Sequence, residues 1–177
     1  MANQHLIDYN EADRADYMAV VASLAGADGD VSSEEIFALR ELCKHFLLGP
    51  DARGRVMAAT TPGAENLDEA LARLAKTDLK DSLVLDVCAM AWRDGKLVEA
   101  EEAEIRRLAG RLSVPNGHVE ALMKLAEAIQ KGAHPADALP ALEAAGVPRA
   151  SVAVSATLYG MSKAGNEGAK EALGAAI

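Results

Sequence analysis

The sequence predicts an all-α protein: a compact bundle of about seven helices with an internal pseudo-twofold helical-hairpin repeat, plus a C-terminal helical extension. Three observations predict this fold class. Alanine, the strongest helix former, supplies 37 of the 177 residues. Aromatic residues, which are enriched in strands, make up only 3% of the chain. Apolar residues recur at helical spacing over most of its length.

The first two helices form a predicted hairpin. The first helix spans about residues 12–27, and the second begins after Ser32. The sequence Ser32-Ser33-Glu34-Glu35 matches a capping box, in which the Ser32 hydroxyl accepts the Glu35 backbone N–H and the Glu35 carboxylate accepts that of Ser32. Gly49-Pro50 ends the second helix, because glycine tolerates the left-handed closing conformation and proline cannot continue the hydrogen-bond ladder.

Five further helices complete the predicted bundle. Their expected spans are about 51–59, 67–76, 78–93, 99–112 and 116–131. The helix at 78–93 is apolar along most of its length, which makes it the candidate for the central buried helix. Pro115 separates the last two, since proline is favoured at a helix start and disfavoured inside a helix.

A shift of 66 residues aligns one hairpin with another. It places Ala25-Gly26-Ala27-Asp28-Gly29-Asp30-Val31 over Ala91-Trp92-Arg93-Asp94-Gly95-Lys96-Leu97, and Glu35 over Glu101. The repeats span about 12–48 and 78–112. Two such hairpins are expected to pack about a pseudo-twofold axis, because each can then bury the apolar face of the other.

The repeats lie within a predicted helical domain of residues 1–131. Beyond it, residues 132–177 are rich in alanine and glycine and form short helices. This extension contains Val152, Val154 and Leu158, which are too apolar for a free linker. Two roles remain open for it: it docks on its own domain, or it binds a partner, including a second copy of the chain through residues 149–177.

Carboxylates follow both Asp-Gly loops, and two explanations apply. The first is structural, because acidic residues in the first turn of a helix favour its positive dipole end. The second is a site for a divalent cation. Asp28, Asp30 and Glu35, with the Ser32 hydroxyl, offer hard oxygen ligands of the kind that Ca²⁺ prefers.

An EF-hand is excluded as the form of this site. Its loop needs glycine at position six and glutamate at position twelve, where this chain has Ser33 and Leu39. The second loop is the weaker candidate, because Lys96 and Val98 stand where the first repeat has Asp30 and Ser32.

Charge and motifs exclude several other functions. The formal net charge of −9 disfavours nucleic-acid binding, since phosphates would be repelled over most of the surface. No nucleophile, phosphate-binding or zinc motif is present, so we expect no enzymatic activity. The longest weakly polar stretch, 150–161, is too short to span a membrane. The first residues lack a secretory signal and the two cysteines are expected to be buried thiols, so we expect a cytoplasmic protein.

The two loops resemble those of the tellurite-resistance TerB-like family. The resemblance lies in Ala27-Asp28-Gly29-Asp30-Val31-Ser32-Ser33-Glu34-Glu35 and in Arg93-Asp94-Gly95-Lys96-Leu97-Val98-Glu99-Ala100-Glu101, and covers about residues 12–125. In both copies a glutamate follows the Asp of Asp-Gly by seven residues.

This resemblance implies a helical domain with acidic surface clusters and a role for a divalent metal, Ca²⁺ or Mg²⁺. It also implies a function in stress responses, within larger protein assemblies that are often near the membrane. Asp28, Glu35, Asp94 and Glu101 match the acidic positions of the family, and with Asp30 they form the candidate metal site. The leading hypothesis is therefore a non-enzymatic TerB-like module, and the alternative is a metal-free adaptor whose acidic helix ends bind a partner protein.

Overall fold

The computed structural model describes residues 5–27, 29–158 and 165–174 of the chain. All regular secondary structure in these ranges is helical. The α-helices are α1 (Glu11–Ala25), α2 (Ser33–His45), α3 (Pro50–Ala58), α4 (Asp68–Leu74), α5 (Lys80–Ala91), α6 (Glu99–Arg111), α7 (Asn116–Gln130), α8 (Leu139–Ala144), α9 (Arg149–Ala153) and α10 (Glu167–Gly174). Short 3₁₀ turns at Leu6–Asp8, Trp92–Asp94 and Pro135–Ala138 connect them.

The predicted all-α class is confirmed, and α1 to α7 are the seven helices expected from the sequence. Most of their ends agree with the prediction to within two residues, because the end signals are local ones. Ser32 caps α2, and Pro50 and Pro115 lie at the starts of α3 and α7.

The end of α2 differs, because this helix ends at His45 and the left-handed conformation expected at Gly49 is held by Leu47, with φ of 55°. Gly49 has φ of −70° and precedes the first residue of α3.

Helices α1 and α5 form the centre of the bundle. Helix α5 packs against α1, α6, α7 and α9, and α1 packs against α3 and α4 as well. Residues of both helices are buried on nearly every face, from Ala15 to Ala22 in α1 and from Asp81 to Cys88 in α5. A helix surrounded on all sides needs no polar stripe, so the apolar composition of 78–93 correctly indicated a buried helix.

The spacing of 66 residues extends beyond the hairpins. Helices α2 and α6 have 13 residues each and begin 66 residues apart, as do α3 and α7. The turns between them also match, because Leu47 and Ser113 hold the same left-handed conformation, with φ of 55° and 56°. Each repeat therefore comprises three helices and the turns that join them.

The described part of the extension packs on the repeats. Val152, Val154 and Leu158 are buried, and α9 lies against α5. Helix α10 packs on the turn at Pro135–Ala138, where Gly168 lies so close to His134 that a Cβ atom would be 2.4 Å from Nδ1. Residues 159–164 and 175–177 lie outside the described part. Self-association through 149–177 and the domain boundary at 131 stay predictions.

Candidate cation site between the two repeats

Both Asp-Gly loops reverse the chain at a glycine. Gly29 and Gly95 have φ of 85° and 80°, a conformation that residues with a Cβ atom rarely adopt. Two of the predicted ligands cannot be placed. Asp28 lies outside the described residues, and the carboxylate of Asp94 also lies outside the description, although its backbone ends the turn that begins at Trp92.

The predicted capping box is present at the start of α2. Ser32 Oγ accepts the Glu35 backbone N–H at 3.2 Å, and Glu35 Oε2 accepts the Ser32 N–H at 2.8 Å. At the start of α6, Glu101 Oε2 accepts the Val98 N–H at 3.0 Å, but Val98 has no hydroxyl to return a bond. Each glutamate thus uses Oε2 to fix the N-terminus of its helix, and these bonds do not engage Oε1.

Carboxylates from both repeats line one cavity of about 260 Å³. Asp30 and Glu35 come from the first repeat and Glu101 from the second. Ala25 and Ala91, which are equivalent in the repeat, lie between the two sides, and their small side chains leave this space open. The structure therefore brings together three of the five predicted metal-site residues.

These three carboxylates share the cavity without converging on one point. In the described part of the chain, no three His, Cys, Asp or Glu side chains are close enough to bind the same ion directly. Mg²⁺ commonly keeps several of its waters and is held by only one or two carboxylates, whereas Ca²⁺ takes six to eight oxygens. The cavity thus fits a hydrated cation better than a fully protein-ligated one.

Asp86 is a buried acid that the sequence interpretation did not explain. It lies in the middle of α5 and accepts hydrogen bonds from Tyr17 Oη at 2.5 Å and Ser155 Oγ at 2.6 Å. It also accepts the backbone N–H groups of Ala156 and Thr157, at 2.8 and 3.0 Å. Burial, and then the negative charge of Asp86, raise the pKa of Tyr17 well above its usual value, so the phenol stays a donor.

Asp16 is a second buried acid, in α1, and it has cationic partners. Arg55 and Arg73 each approach it to 2.7 Å. Burial by itself would raise the pKa of Asp16, but the hydrogen bonds from Arg73 and Arg55 outweigh burial and lower it. The signal for both acids was available in the sequence, because an aspartate inside an apolar helix needs a buried partner.

The two cysteines are buried and free, as predicted. Burial raises the pKa of Cys43 to about 11 and that of Cys88 to about 12. A protonated, inaccessible thiol is a poor nucleophile and a poor metal ligand. Both residues are therefore part of the core.

Three comparisons with known proteins were informative to different degrees, and the match comes from a family model. No curated protein and no solved structure shows a significant match. No helix in the described ranges is both long enough and apolar enough to cross a membrane. The family model of the tellurite resistance protein TerB matches residues 16–125, which include both Asp-Gly loops and every described residue that lines the cavity of about 260 Å³. The chain therefore belongs to the TerB family.

Proposed function

We propose that this protein is a non-enzymatic TerB-type module of a stress response, in which the cavity between the two repeats binds one hydrated divalent cation, Ca²⁺ or Mg²⁺. The observation that carries the proposal is the shared cavity. Asp30 and Glu35 from one repeat and Glu101 from the other line the same space. Negative charges that line the same cavity repel one another, and a cation in the cavity would reduce that repulsion.

The size of the cavity supports a hydrated ion. A water molecule occupies roughly 30 Å³ in the liquid, so about 260 Å³ holds an ion together with several waters. The bound ion would supply positive charge to carboxylates of both repeats and so link the first loop to the start of α6. The acidic surface and the TerB-type domain further favour a role within a larger assembly of protein partners, including membrane-associated ones.

Titration of the full chain with Mg²⁺, Ca²⁺ and Mn²⁺, followed by calorimetry and NMR, tests this proposal. Wild type is expected to bind one of these ions saturably with Kd below about 1 mM. Asp30→Asn and Glu101→Gln should each weaken binding about tenfold, because each removes one of the charges that face the ion.

Glu34→Gln is the matched control. It changes the same charge in the same helical turn as Glu35, but Glu34 is exposed and does not line the cavity. Its affinity for the cation should equal that of wild type. Absence of saturable binding below about 1 mM, or equal losses in all three variants, would refute the cation proposal.

A metal-free adaptor is the second candidate. It is favoured by the observation that no three ligand side chains of the described residues can hold one ion. The acidic helix ends would then contact a basic surface of a partner protein. Partner binding that persists in EDTA and weakens at high salt would support this function, whereas binding that requires the cation would favour the first.

A further inference from the structure

A second and larger cavity adjoins the candidate cation site. Its volume is about 520 Å³, and Ala27 and Glu101 line both cavities. It lies between α4, one side of α6 and the segment that joins α3 to α4. We call it the α4–α6 groove, and its apolar lining includes Ala59, Pro62, Leu67, Leu71, Ala100 and Leu108.

The apolar lining continues onto the surface. Leu71 and Leu108 are each only 2% exposed, whereas Val98, at the edge of the groove, is 42% exposed. Val98 is one of four large apolar residues that are exposed in the described ranges. A groove with an apolar lining and an exposed apolar edge can accept an apolar side chain of a partner.

The charges of the groove differ from one part to another. Glu104 forms a two-bond pair with Arg107, at 2.7 and 2.8 Å, and Asp68 pairs with Arg111 at 2.7 Å. Glu101 forms no ion pair with the described residues, and its Oε2 accepts the Val98 backbone N–H. The end of the groove near Glu101 therefore has an uncompensated negative charge, and the part near α4 carries neutral pairs.

We propose that the α4–α6 groove binds a short segment of a partner protein in which an apolar side chain is followed by a lysine or an arginine. The apolar side chain contacts Leu67, Ala100 and Val98, which are accessible apolar residues of the lining, and the cationic group lies against Glu101. The charge complementarity at Glu101 selects a basic segment over an acidic one. Both proposals use Glu101, so a bound cation would compete with the basic residue of the segment, and the groove is tested without added metal.

The test measures binding of short labelled peptides to the full chain in EDTA, by fluorescence anisotropy and by NMR shifts of backbone amides. The probes are four peptides that differ only in their central residues, Leu-Leu-Arg-Arg, Leu-Leu-Glu-Glu, Ser-Ser-Arg-Arg and Leu-Leu-Ser-Ser. The Leu-Leu-Arg-Arg peptide should bind with Kd below about 1 mM and shift amides of α4 and α6, and each of the others should bind about tenfold more weakly.

Two variants keep the helix start intact and probe each half of the proposed contact. Val98→Ser removes the apolar edge but introduces the residue that caps α2 in the first repeat. Glu101→Gln removes the charge but keeps a residue type that closes a capping box. Each variant should weaken binding of the Leu-Leu-Arg-Arg peptide about threefold or more. The control Phe37→Ser, which changes an apolar residue on α2 that is 66% exposed, should leave this binding unchanged.

The result is decisive in either direction. Saturable binding that both groove variants weaken supports the proposal. Three results would overturn it: no saturable binding, equal binding of the Ser-Ser-Arg-Arg peptide, or concentration-dependent self-association that protects Val98, which would assign the groove to a second copy. Asp30→Asn separates the two proposals, since Asp30 lines only the smaller cavity and its loss should leave peptide binding in EDTA unchanged.

Discussion

In the first repeat, Gly26 lies so close to the backbone of Thr60 that a Cβ atom there would be 1.7 Å from the Thr60 carbonyl oxygen. The equivalent position in the second repeat holds Trp92, whose half-buried ring lies 5.9 Å from Lys131 Nζ. One helix end is thus closed by direct contact of two backbones and the other by a large side chain. The two repeats therefore have the same helices and turns, but the residue at this position packs in a different way in each.

The buried polar groups differ in the same way. Asp16 of α1 corresponds to Ser82 of α5, and Val20 of α1 corresponds to Asp86 of α5. Helix α1 faces two arginines from α3 and α4, whereas α5 faces the N–H groups near Ser155. Each helix therefore buries an acid only where its own neighbours supply donors. The repeat determines the path of the backbone, and the surroundings determine which polar groups it can bury.

The largest expected effect is that of Asp86→Ala. Tyr17, Ser155 and two backbone N–H groups would lose their acceptor, and each unpaired buried donor costs about 1–3 kcal/mol. We expect the free energy of unfolding in urea to fall by about 4 kcal/mol. The control Glu41→Ala, which removes a surface pair with Lys44, should change it by less than about 0.5 kcal/mol. A loss of less than about 1 kcal/mol for Asp86→Ala would show that α5 does not hold the extension.

Gly26→Ala should have the next largest effect. The new methyl group would overlap the Thr60 backbone, which cannot move as a flexible side chain can. We therefore expect the free energy of unfolding to fall by about 3 kcal/mol. Gly54→Ala in α3 is the matched control, because no atom lies within 4 Å of its Cβ position and alanine favours a helix by about 0.5–1 kcal/mol. Thermal unfolding of both variants measures the difference. Equal stability would mean that the two repeats do not differ in backbone packing here.

Asp16→Asn should lower the free energy of unfolding by about 2 kcal/mol at neutral pH. This loss should depend on pH, whereas the loss caused by Ser82→Ala should not. The pKa of Asp16 is lowered in the folded protein from its ordinary value of 3.8. Its ionised form therefore stabilises the fold fully above that value, and the stabilisation is lost as pH falls through the lowered pKa. Urea unfolding from pH 7 down to acid should show the stabilities of wild type and Asp16→Asn converging. A constant difference between them would contradict the ion pairs with Arg55 and Arg73.

The smallest effect is an exchange of caps between the repeats. Val98 has the extended conformation of an N-cap, with φ −91° and ψ 156°, close to the −66° and 157° of Ser32. Val98→Ser should therefore raise the free energy of unfolding by about 0.5 kcal/mol, and Ser32→Val should lower it by about 1 kcal/mol. Chemical denaturation of the two variants checks the signs. Destabilisation by Val98→Ser would show that a serine hydroxyl at this position is not enough to cap α6.

The helices and the repeat could be predicted because their signals are local. Ser32, Glu35, Pro50 and Pro115 each act within one helical turn, so a single sequence contains the whole interaction. The 66-residue spacing could be found for the same reason, since both loops combine Asp-Gly with a later glutamate. The sequence analysis treated the two loops as separate candidate sites, so it did not place Glu101 in the same cavity as Asp30 and Glu35.

The partners of the buried acids, and the groove, could not be predicted in this way. The environment of Asp86 depends on Ser155, 69 residues later, and that of Asp16 depends on Arg73, 57 residues later. No local sequence pattern indicates which distant residues will be these partners. Similarly, Val98 was interpreted only as a weak point of the second cation loop, because the groove beside it exists only once α4 and α6 are in place.

The bonds of Asp86 have a consequence for how the protein unfolds. The TerB family match ends at residue 125, yet three of the four donors to Asp86 come from residues 155–157. A chain cut after the last helix of the match would carry an acid in its central helix with most of its donors removed. The extension and the repeats should therefore melt in a single cooperative transition, and the smallest autonomous folding unit should reach at least to Thr157.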